Sequence, residues 1–389
     1  MKKVCVVTGT RAEYGLLKPV IEKICKDEEL ELYLIVTGAH LSPEFGLTYK
    51  EIEADGFIIN KKIEMLLSAD TPGSIVKSMG VGMMGFADAF AEGCPDMVVI
   101  LGDRYEMLAA ASAAMVFRIP IAHIHGGETT EGAIDESIRH AITKMSYLHF
   151  AATETYRNRI IQLGESPERV FDVGALGIEN IKTIKLLDKE NLEKSIDFKF
   201  SDNTVMVTYH PVTLEKQSSA EPFHNLLSVL KSRKDLNIIF TKANSDADGR
   251  IINQMIDVFV SENRDRSVAY ISLGQVRYLS ALKYCSVVIG NSSSGIVEAP
   301  SFHIPTVDIG DRQRGRIASS SVIHCGAGEE EIEHALCRAL QDEFRQGITK
   351  VKNPYEGENT SSQIVSTLKR YLQDGIDIKK KFYDLDATF

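Results

Sequence analysis

The sequence MVVILGDRYEMLAAASAAMVFRIPIAHIHGGETTEGAIDESIRH, residues 97–140, contains the clearest indication of the fold class. Two short apolar runs, residues 97–101 and 120–124, flank an alanine-rich helical stretch, and a polar loop follows each run. This alternation is typical of buried parallel strands joined by crossover helices. In an open parallel sheet, ligands bind beyond the carboxyl ends of the strands. We therefore expect the chemistry of the protein to lie in these two loops.

Acidic and histidine side chains are concentrated in and just after the two loops. They are Asp103, His123, His125, Glu128, Asp135 and Glu136. Three of the four acids also have a structural explanation, as a helix N-cap for Asp103 and as favourable first-turn charge for Asp135 and Glu136. Those explanations leave the clustering at strand ends unexplained. Because carboxylates in a water-poor site can differ in pKa, one can serve as base and another as acid, so the cluster predicts acid–base catalysis.

Strand and helix patterns alternate along most of the chain and predict an α/β fold of two doubly wound Rossmann-like domains facing a cleft. In the first half the predicted strands are residues 4–7, 31–36, 97–101, 119–124, 148–152 and 170–173. In the second half they are residues 205–209, 237–241, 267–271, 287–289 and 306–309. Single helices are predicted over residues 178–195 and 329–343. Substrate and nucleotide are expected where strand ends of both halves meet.

The overall composition is that of an ordinary globular enzyme, with a net charge of −10. This acidic balance argues against nucleic-acid and membrane partners, because both need a spread of Lys and Arg. The six cysteines show no C-x-x-C pair and no metal-ligand spacing, so we interpret them as reduced core thiols and expect no metal. The sequence has no pattern of a signal peptide or a transmembrane helix, which predicts a cytoplasmic protein.

Two glycine-containing loops have the composition of phosphate sites. In TGTRAEYG, residues 8–15, a strand-to-helix turn and Arg11 are suited to an anion, although a tight turn with a surface arginine is the alternative. In GNSSSG, residues 290–295, three hydroxyls at a helix start favour a diphosphate cradle, with Glu298 one turn further on for ribose hydroxyls. The alternative for this loop is an N-cap cluster.

Two further basic features follow strands of the second half. The loop GDRQRGR, residues 310–316, places three arginines within five residues of an acidic chain, which favours a local anion site over a solvated loop. His210 directly follows the first predicted strand of this half. A single histidine at such a place is more often structural than catalytic, but the strand end is where ligands are expected.

Seven motifs of this chain, in order, resemble those of the hydrolysing UDP-N-acetylglucosamine 2-epimerases of bacterial sialic-acid-type pathways. They are GTRAEYG, LGDRYE, HIHGGE, DESIRHAITKMS, HP, GNSSSG and GDRQRGR. The resemblance implies a glycosyltransferase-B-like architecture in which the C-terminal helix returns to the first domain. It thus implies an N-terminal domain of residues 1–176 plus 361–389 and a C-terminal domain of residues 177–360. A homodimer without metal or redox cofactor is also implied.

The activity implied by the resemblance converts UDP-GlcNAc and water to N-acetylmannosamine and UDP, by elimination to 2-acetamidoglucal and hydration. Carried over by motif, the implied catalytic residues are Asp103, His125, Glu128, Asp135 and His210. The nucleotide-binding residues implied by the motifs and the two phosphate-type loops are Arg11, Arg104, Asn244, Ser292, Ser293, Ser294, Gly295, Glu298 and Arg312.

The sequence leaves open one residue assignment and the exact substrate. Relatives carry a catalytic glutamate in an H-x-E motif, whereas this chain reads HIHGGE, so either Glu128 with help from His125, or His125 itself, takes that role. The substrate alternative is UDP-N,N′-diacetylbacillosamine, the 2,4-diacetamido sugar nucleotide of legionaminic acid synthesis. A glycosyltransferase of the same architecture, which would need an acceptor, and a non-catalytic sensor of nucleotide sugars are the alternatives from other classes.

Overall fold

The computed structural model describes residues 1–69, 71–131, 133–212, 220–243 and 249–385. In chain order the strands are β1 (Lys2–Thr8), β2 (Leu30–Thr37), β3 (Lys61–Ile63), β4 (Met97–Leu101), β5 (Ile121–Ile124), β6 (Leu148–Ala151), β7 (Val170–Asp172), β8 (Thr204–Thr208), β9 (Asn237–Thr241), β10 (Ser267–Tyr270), β11 (Val287–Gly290), β12 (Thr306–Ile309) and β13 (Val322–Cys325).

The α-helices run between and after these strands. In chain order they are α1 (Arg11–Lys26), α2 (Tyr49–Ala54), α3 (Pro72–Gly93), α4 (Tyr105–Val116), α5 (Asp135–Met145), α6 (Glu154–Gln162), α7 (Leu176–Thr183), α8 (Lys189–Ile196), α9 (Ala220–Ser232), α10 (Gly249–Glu262), α11 (Gly274–Tyr284), α12 (Ser293–Val297), α13 (Glu329–Leu340), α14 (Asp342–Gly347) and α15 (Thr360–Asp374).

The chain divides into two compact units, each built on one parallel sheet. The first unit comprises Met1–Glu128, Asp135–Asn180 and Tyr355–Phe389, and the second comprises Thr129–Ile134 and Ile181–Pro354. The strand order is β3-β2-β1-β4-β5-β6-β7 in the first unit and β10-β9-β8-β11-β12-β13 in the second. In each sheet the strand that comes first in the chain lies in the interior. The next strands are added on one side of it and the later ones on the other, as in doubly wound folds. Each unit therefore has its own point at which strand ends can form a ligand site.

The central strand β1 shows why the buried strands of the first unit are continuous apolar runs in the sequence. Val4 and Val6 pack with α1 and α15 on one face of the sheet, whereas Cys5 and Val7 pack with α3 and α4 on the other. Successive side chains of a strand point to opposite faces, so a sheet covered on both sides needs apolar residues at every position. The first unit is therefore a three-layer α/β/α structure.

The second unit follows the same rule around β8. Val205 and Val207 pack with α9, α10 and α13, and Met206 packs with α8 and α11 on the opposite face. The two-sided burial again produces an uninterrupted apolar strand. Within the residues that the structure describes, no helix is both long enough and apolar enough to span a lipid bilayer.

The strand predictions from sequence are confirmed to within about two residues at each end, but other elements were missed or misjudged. The edge strands β3 and β13 were not predicted; β3 has only three residues, two of them lysines. The single helix expected over residues 178–195 is wrong, because Asp188 caps a new helix, α8, by accepting a hydrogen bond from Asn191 N–H. The helix expected over residues 329–343 likewise ends at Leu340 and is followed by α14.

The description of all six cysteines as core thiols is also wrong. Cys5 and Cys285 are buried, and Cys325 is half-buried. The remaining three, Cys25, Cys94 and Cys337, are exposed. All six are free thiols. The apolar runs in which some of them lie indicated burial correctly only where the run is a central strand or its neighbouring helix.

Candidate active site

Asp103 lies just beyond the carboxyl end of β4. Gly102, with φ +80°, turns the chain out of the strand into the left-handed region that glycine adopts most easily. The Asp103 carboxylate then contacts the guanidinium of Arg139 on α5. The N-cap of α4 is Arg104, not Asp103, and it makes no side-chain capping bond. The capping explanation for Asp103 therefore does not hold, and its carboxylate is directed to α5.

Arg139 is the residue that connects the acid groups of the first unit. Its side chain is 1% exposed, and besides Asp103 it contacts a second carboxylate. One terminal nitrogen, Nη1, donates to Glu136 Oε2 and to the backbone carbonyl of Glu128, each at 2.9 Å. A planar guanidinium suits such multiple acceptors better than an ammonium group. Arg139 thereby brings the end of β4, the loop after β5 and the first turn of α5 together.

His123 is a neutral, buried histidine on β5. Its Nε2 lies 2.7 Å from the carbonyl oxygen of Gly102, and its Nδ1 lies 3.2 Å from Oγ1 of Thr143. Since a carbonyl can only accept, Nε2 carries the proton and Nδ1 accepts from the threonine hydroxyl. Burial lowers the pKa of His123 to about 3. His123 therefore holds the loop that precedes Asp103 and is not an acid–base group near neutral pH.

His125 and Glu128, the two candidates for the family glutamate, lie together after β5. His125 has φ +63°, an uncommon conformation for a non-glycine residue. Its Nε2 accepts a hydrogen bond from the N–H of Leu176 at 3.4 Å, and its Nδ1 lies 3.8 Å from Oε1 of Glu128. Glu128 is 5% exposed. The histidine therefore presents its protonated Nδ1 to the carboxylate side, an arrangement that can orient Glu128.

The first turn of α5 supplies two more acids. Asp135 is the first residue of the helix and lies one turn before Arg139, on the same helical face. Glu136 accepts from Arg139 and lies 3.1 Å from Nε2 of His140. Negative charge is favourable at a helix N-terminus, so both acids suit this first turn. Asp103, Glu128, Asp135 and Arg139 are thus held by three adjacent segments of one unit.

The loop after β1 is arranged differently from a simple phosphate turn. Thr10 caps α1, and Oε2 of Glu13 accepts from Gly9 N–H at 2.7 Å and from Thr10 N–H at 3.1 Å. These backbone donors are therefore engaged by Glu13 and do not face an anion. Arg11, the first residue of α1, remains the basic group of this loop. The expectation of an amide-lined phosphate turn here is wrong for Gly9 and Thr10.

His210 and Asn291 form a reciprocal clamp in the second unit. Asn291 Oδ1 accepts from His210 N–H at 2.7 Å, and Asn291 Nδ2 donates to the His210 carbonyl at 2.8 Å. The Asn291 carbonyl accepts from Arg312 Nη1 at 3.0 Å and from Gln313 Nε2 at 2.8 Å. The ends of β8, β11 and β12 are thereby tied together. His210 and Arg312, predicted separately, belong to one network.

The serine-rich loop begins the short helix α12. Ser292 is its N-cap and accepts from Ser294 N–H, so the capping explanation holds for this hydroxyl. The Ser294 hydroxyl accepts from Tyr278 at 2.6 Å. Burial raises the pKa of the Glu298 carboxyl, which a hydrogen bond with Ser294 partly offsets. These hydroxyls are therefore ordered by protein contacts, and the buried Glu298 carboxyl is hydrogen-bonded to Ser294.

Glycines bring this loop close to the sheet. A Cβ on Gly295 would lie 2.7 Å from the Thr306 side chain, and a Cβ on Gly290 would overlap the carbonyl of Thr208. Only glycine permits these approaches. Of the remaining arginines in residues 310–316, Arg314 is exposed and Arg316 reaches Oγ1 of Thr130. The predicted nucleotide-binding residue Asn244 lies outside the described residues.

Sequence reasoning missed Arg139, Asn291 and Gln313. Among residues 1–69, 71–131, 133–212, 220–243 and 249–385, no group of three or more acidic, histidine or cysteine side chains is placed to bind a metal. The candidate site consists of hydrogen-bonding and ionisable side chains.

A family model described as UDP-N-acetylglucosamine 2-epimerase matches residues 22–369. The chain belongs to the UDP-N-acetylglucosamine 2-epimerase family. Three similar proteins are the GDP/UDP-N,N′-diacetylbacillosamine 2-epimerase (hydrolyzing) of Campylobacter jejuni, the polysialic acid biosynthesis protein P7 of Escherichia coli and the UDP-N,N′-diacetylbacillosamine 2-epimerase (hydrolyzing) of Legionella pneumophila. The first is 43% identical, covering 99% of both chains. The second is 38% identical (99% of this chain, 98% of the relative), and the third 36% (95% and 96%).

Solved structures of epimerases share the fold of this family member. The Neisseria meningitidis UDP-GlcNAc 2-epimerase bound to UDP-GlcNAc superposes with a TM-score of 0.79 at 20% identity, covering 95% of this chain and 100% of that chain. The Staphylococcus aureus MnaA–UDP structure gives the same TM-score at 20% identity, covering 99% and 100%. The predicted glycosyltransferase-B-like architecture of two parallel α/β domains is confirmed.

Proposed function

We propose that the protein is a hydrolysing 2-epimerase of UDP-2-acetamido sugars. The observation that carries this proposal is the Arg139 centre, which holds Asp103, Glu136 and the loop of Glu128 together at the ends of parallel strands. Family membership supports the same conclusion, because relatives at 43% and 36% identity are named as hydrolysing 2-epimerases. A glycosyltransferase would need no such concentration of acids.

The proposed reaction has two steps. In the first, a carboxylate removes the proton from C2 of the sugar, the bond from C1 to the UDP oxygen breaks, and a C1–C2 double bond forms. In the second, water adds its hydroxyl to C1 and gives its other proton to a carboxylate, while an acid delivers a proton to the other face of C2. Because C2–H is not activated by a carbonyl, the base must be well placed and the leaving diphosphate must be stabilised.

We assign proton transfer to the first unit and nucleotide binding chiefly to the second. Asp103 and Asp135 are proposed as the acid–base pair, with Glu128 in the role of the family glutamate and His125 orienting it through Nδ1. Arg11 and Arg104 of the first unit would add positive charge for the leaving diphosphate.

In the second unit, the His210–Asn291 clamp and Arg312 are proposed to contact the diphosphate. The nucleotide-binding set is completed by Ser292, Ser293, Ser294, Gly295, Glu298 and Asn244. The hydroxyls of this set suit phosphate oxygens, and the Glu298 carboxylate suits ribose hydroxyls.

UDP-GlcNAc is the leading substrate, and the 2,4-diacetamido donor UDP-N,N′-diacetylbacillosamine is the second candidate. The names of the relatives at 43% and 36% identity favour the second donor, whereas a polysialic acid biosynthesis protein at 38% favours the first. Steady-state kcat/KM for UDP release on both donors, with identification of the sugar product, decides between them. Release of UDP from neither donor would refute the proposed function.

We also propose a homodimer formed through α3 and the end of α4. Val76, Met83 and Met84 share an exposed face of α3. Val116, the last residue of α4, is 71% exposed, and Phe117 directly after it contacts Phe90 of α3. An exposed apolar surface of this kind is typical of an association site. Light scattering should give a dimer for the wild type and a monomer for Met84→Glu. A monomeric wild type would refute this proposal.

A further inference from the structure

Arg104, a proposed diphosphate ligand, is held by a carboxylate that has no access to solvent. The Glu106 side chain is fully buried, and the Arg104 side chain is 13% exposed. Arg104 Nε lies 3.3 Å from Glu106 Oε2, and Nη2 lies 3.4 Å from Oε1. Two parallel contacts between the planar groups leave the guanidinium little freedom to rotate. The pair therefore fixes the direction of Arg104.

The backbone around Glu106 prevents the carboxylate from moving away. Gly38 has φ +58°, and a Cβ at this position would lie 2.9 Å from the carbonyl of Gly9 and 3.0 Å from Glu106 Oε1. Gly9 is less crowded: a Cβ there would lie 3.3 Å from Glu13 Oε2 and in ordinary van der Waals contact, at 3.6 Å, with Glu106 Cβ. Both loops approach so closely that the Glu106 side chain fills the space between them. Its orientation is determined by packing.

Glu13 is a second buried acid whose carboxyl interacts electrostatically with Arg104. Oε2 accepts two backbone hydrogen bonds, whereas Oε1 is buried and has no hydrogen-bond partner among the described residues. Burial raises the pKa of Glu13 to about 7, Arg104 opposes the rise and Glu106 adds to it. A proton on Glu13 is therefore carried by Oε1.

A purely structural explanation of Glu106 is insufficient. Its position in the first turn of α4 would be favourable to the helix dipole even on the surface. Burial adds a desolvation cost that an ion pair often fails to recover, so a buried pair is weak support for a stability role. The arrangement is better explained by a need to hold a guanidinium in one place.

We propose that Glu106 is a positioning residue that orients Arg104 toward the diphosphate of the nucleotide sugar. This inference rests on the proposed function, since it assigns Arg104 to that ligand. Glu106 itself does not contact the substrate. It acts by restricting the guanidinium before the ligand arrives, which reduces the ordering cost of binding.

The test measures UDP affinity by calorimetry together with melting temperature for a double-mutant cycle. Glu106→Gln keeps the shape of the side chain and removes its charge, and should raise the Kd for UDP about tenfold, the loss expected when a charge-assisted hydrogen bond is misaligned. Arg104→Met should raise the Kd at least as much. On the Arg104→Met background, Glu106→Gln should have no further effect on the Kd, because the group it orients is gone.

A matched control is Glu165, another buried carboxylate of the same unit, which is paired with Lys144, His149 and Lys380. Glu165→Gln should lower the melting temperature but leave the Kd for UDP within about twofold, the size of a neutral change. If Glu106→Gln is too unstable to assay, Glu106→Asp, which keeps the charge but shortens the side chain, should weaken UDP binding in its place.

Three results would overturn the proposal. The first is an unchanged Kd for UDP in the Glu106 variants when Arg104→Met weakens binding, and the second is additivity of the two substitutions. The third is an Arg104→Met variant that binds UDP normally. A wild-type enzyme that binds UDP but does not cleave UDP-sugars would refute the proposed function alone, because the cycle measures UDP binding and not turnover.

Discussion

Arg139 is the residue whose loss should most clearly separate stability from catalysis. In Arg139→Met, three contacts disappear: those to Asp103, to Glu136 and to the carbonyl of Glu128. Hydrogen bonds to charged groups contribute about 1.5–3 kcal/mol each. The two carboxylates are 23% and 24% exposed, so water partly replaces the guanidinium. We therefore expect a net loss of about 2–3 kcal/mol in unfolding free energy, well below the sum of the three contacts.

The same substitution should have a larger effect on the reaction. Without the guanidinium, Asp103 is no longer tied to α5, and small misplacements of a reacting group can cost about 100-fold in rate. Arg139→Lys separates the two effects, because it keeps the charge but offers only one compact donor group. The lysine variant should recover part of the stability that the methionine variant loses, while its kcat stays about 100-fold below that of the wild type.

The assay combines urea unfolding with kcat for UDP release. For a unit of this size, a loss of about 2–3 kcal/mol corresponds to a fall in melting temperature of about 5–10 °C. A lysine variant with wild-type kcat would contradict the reasoning, because orientation of Asp103 would then not depend on the planar group. A methionine variant with unchanged stability would show that Arg139 does not form the described contacts in solution.

Three further predictions concern the glycine turn, the buried histidines and the acid itself. Gly290→Ala should cost about 3–5 kcal/mol in urea unfolding, because its Cβ would overlap Thr208 and its φ of +135° strains an alanine; a wild-type midpoint would contradict the described turn. Burial lowers the pKa of His40 and His123 to about 3. In the unfolded chain both histidines have their ordinary pKa of about 6.5, so below that pH the unfolded chain binds more protons than the folded one. Stability is then lost as pH falls from about 6.5 toward 3, at about 1.4 kcal/mol per pH unit for each histidine, and His123→Gln should flatten this dependence; equal stability at pH 7 and pH 5 would refute it. Asp103→Asn should bind UDP like wild type but lose about 100-fold or more in kcat, measured by UDP release; a small change in kcat would remove Asp103 from the chemistry.

The sequence predicted the strand ends and most of the acids that follow them. Asp103, Glu128 and Asp135 could be predicted as site residues because parallel strands end at one edge of a sheet and glycine-containing loops follow them. The central strands were equally clear, since two-sided burial gives apolar residues at every position. These features depend on local pattern, which a single sequence displays.

The residues that were missed depend on tertiary contacts. Arg139 occupies a helix between Ile138 and His140 and looks like a solvent-facing cation, yet its side chain is 1% exposed because three acceptors surround it. The turn of residues 8–15 was expected to suit an anion, although the Glu13 carboxylate within it accepts hydrogen bonds from the backbone N–H groups of Gly9 and Thr10. Local composition does not show which acceptor a long side chain will reach, so such pairings follow only from the fold.

Turnover of the UDP-sugar in D2O, followed by NMR of the released sugar, reports directly on proton transfer at C2. Elimination followed by hydration should give one deuterium at C2 of the product, inverted configuration at C2 and stoichiometric release of UDP, because the C2 proton leaves and solvent supplies its replacement. A product that keeps the original C2 proton would contradict elimination and hydration, and with it the role given to the acids around Arg139.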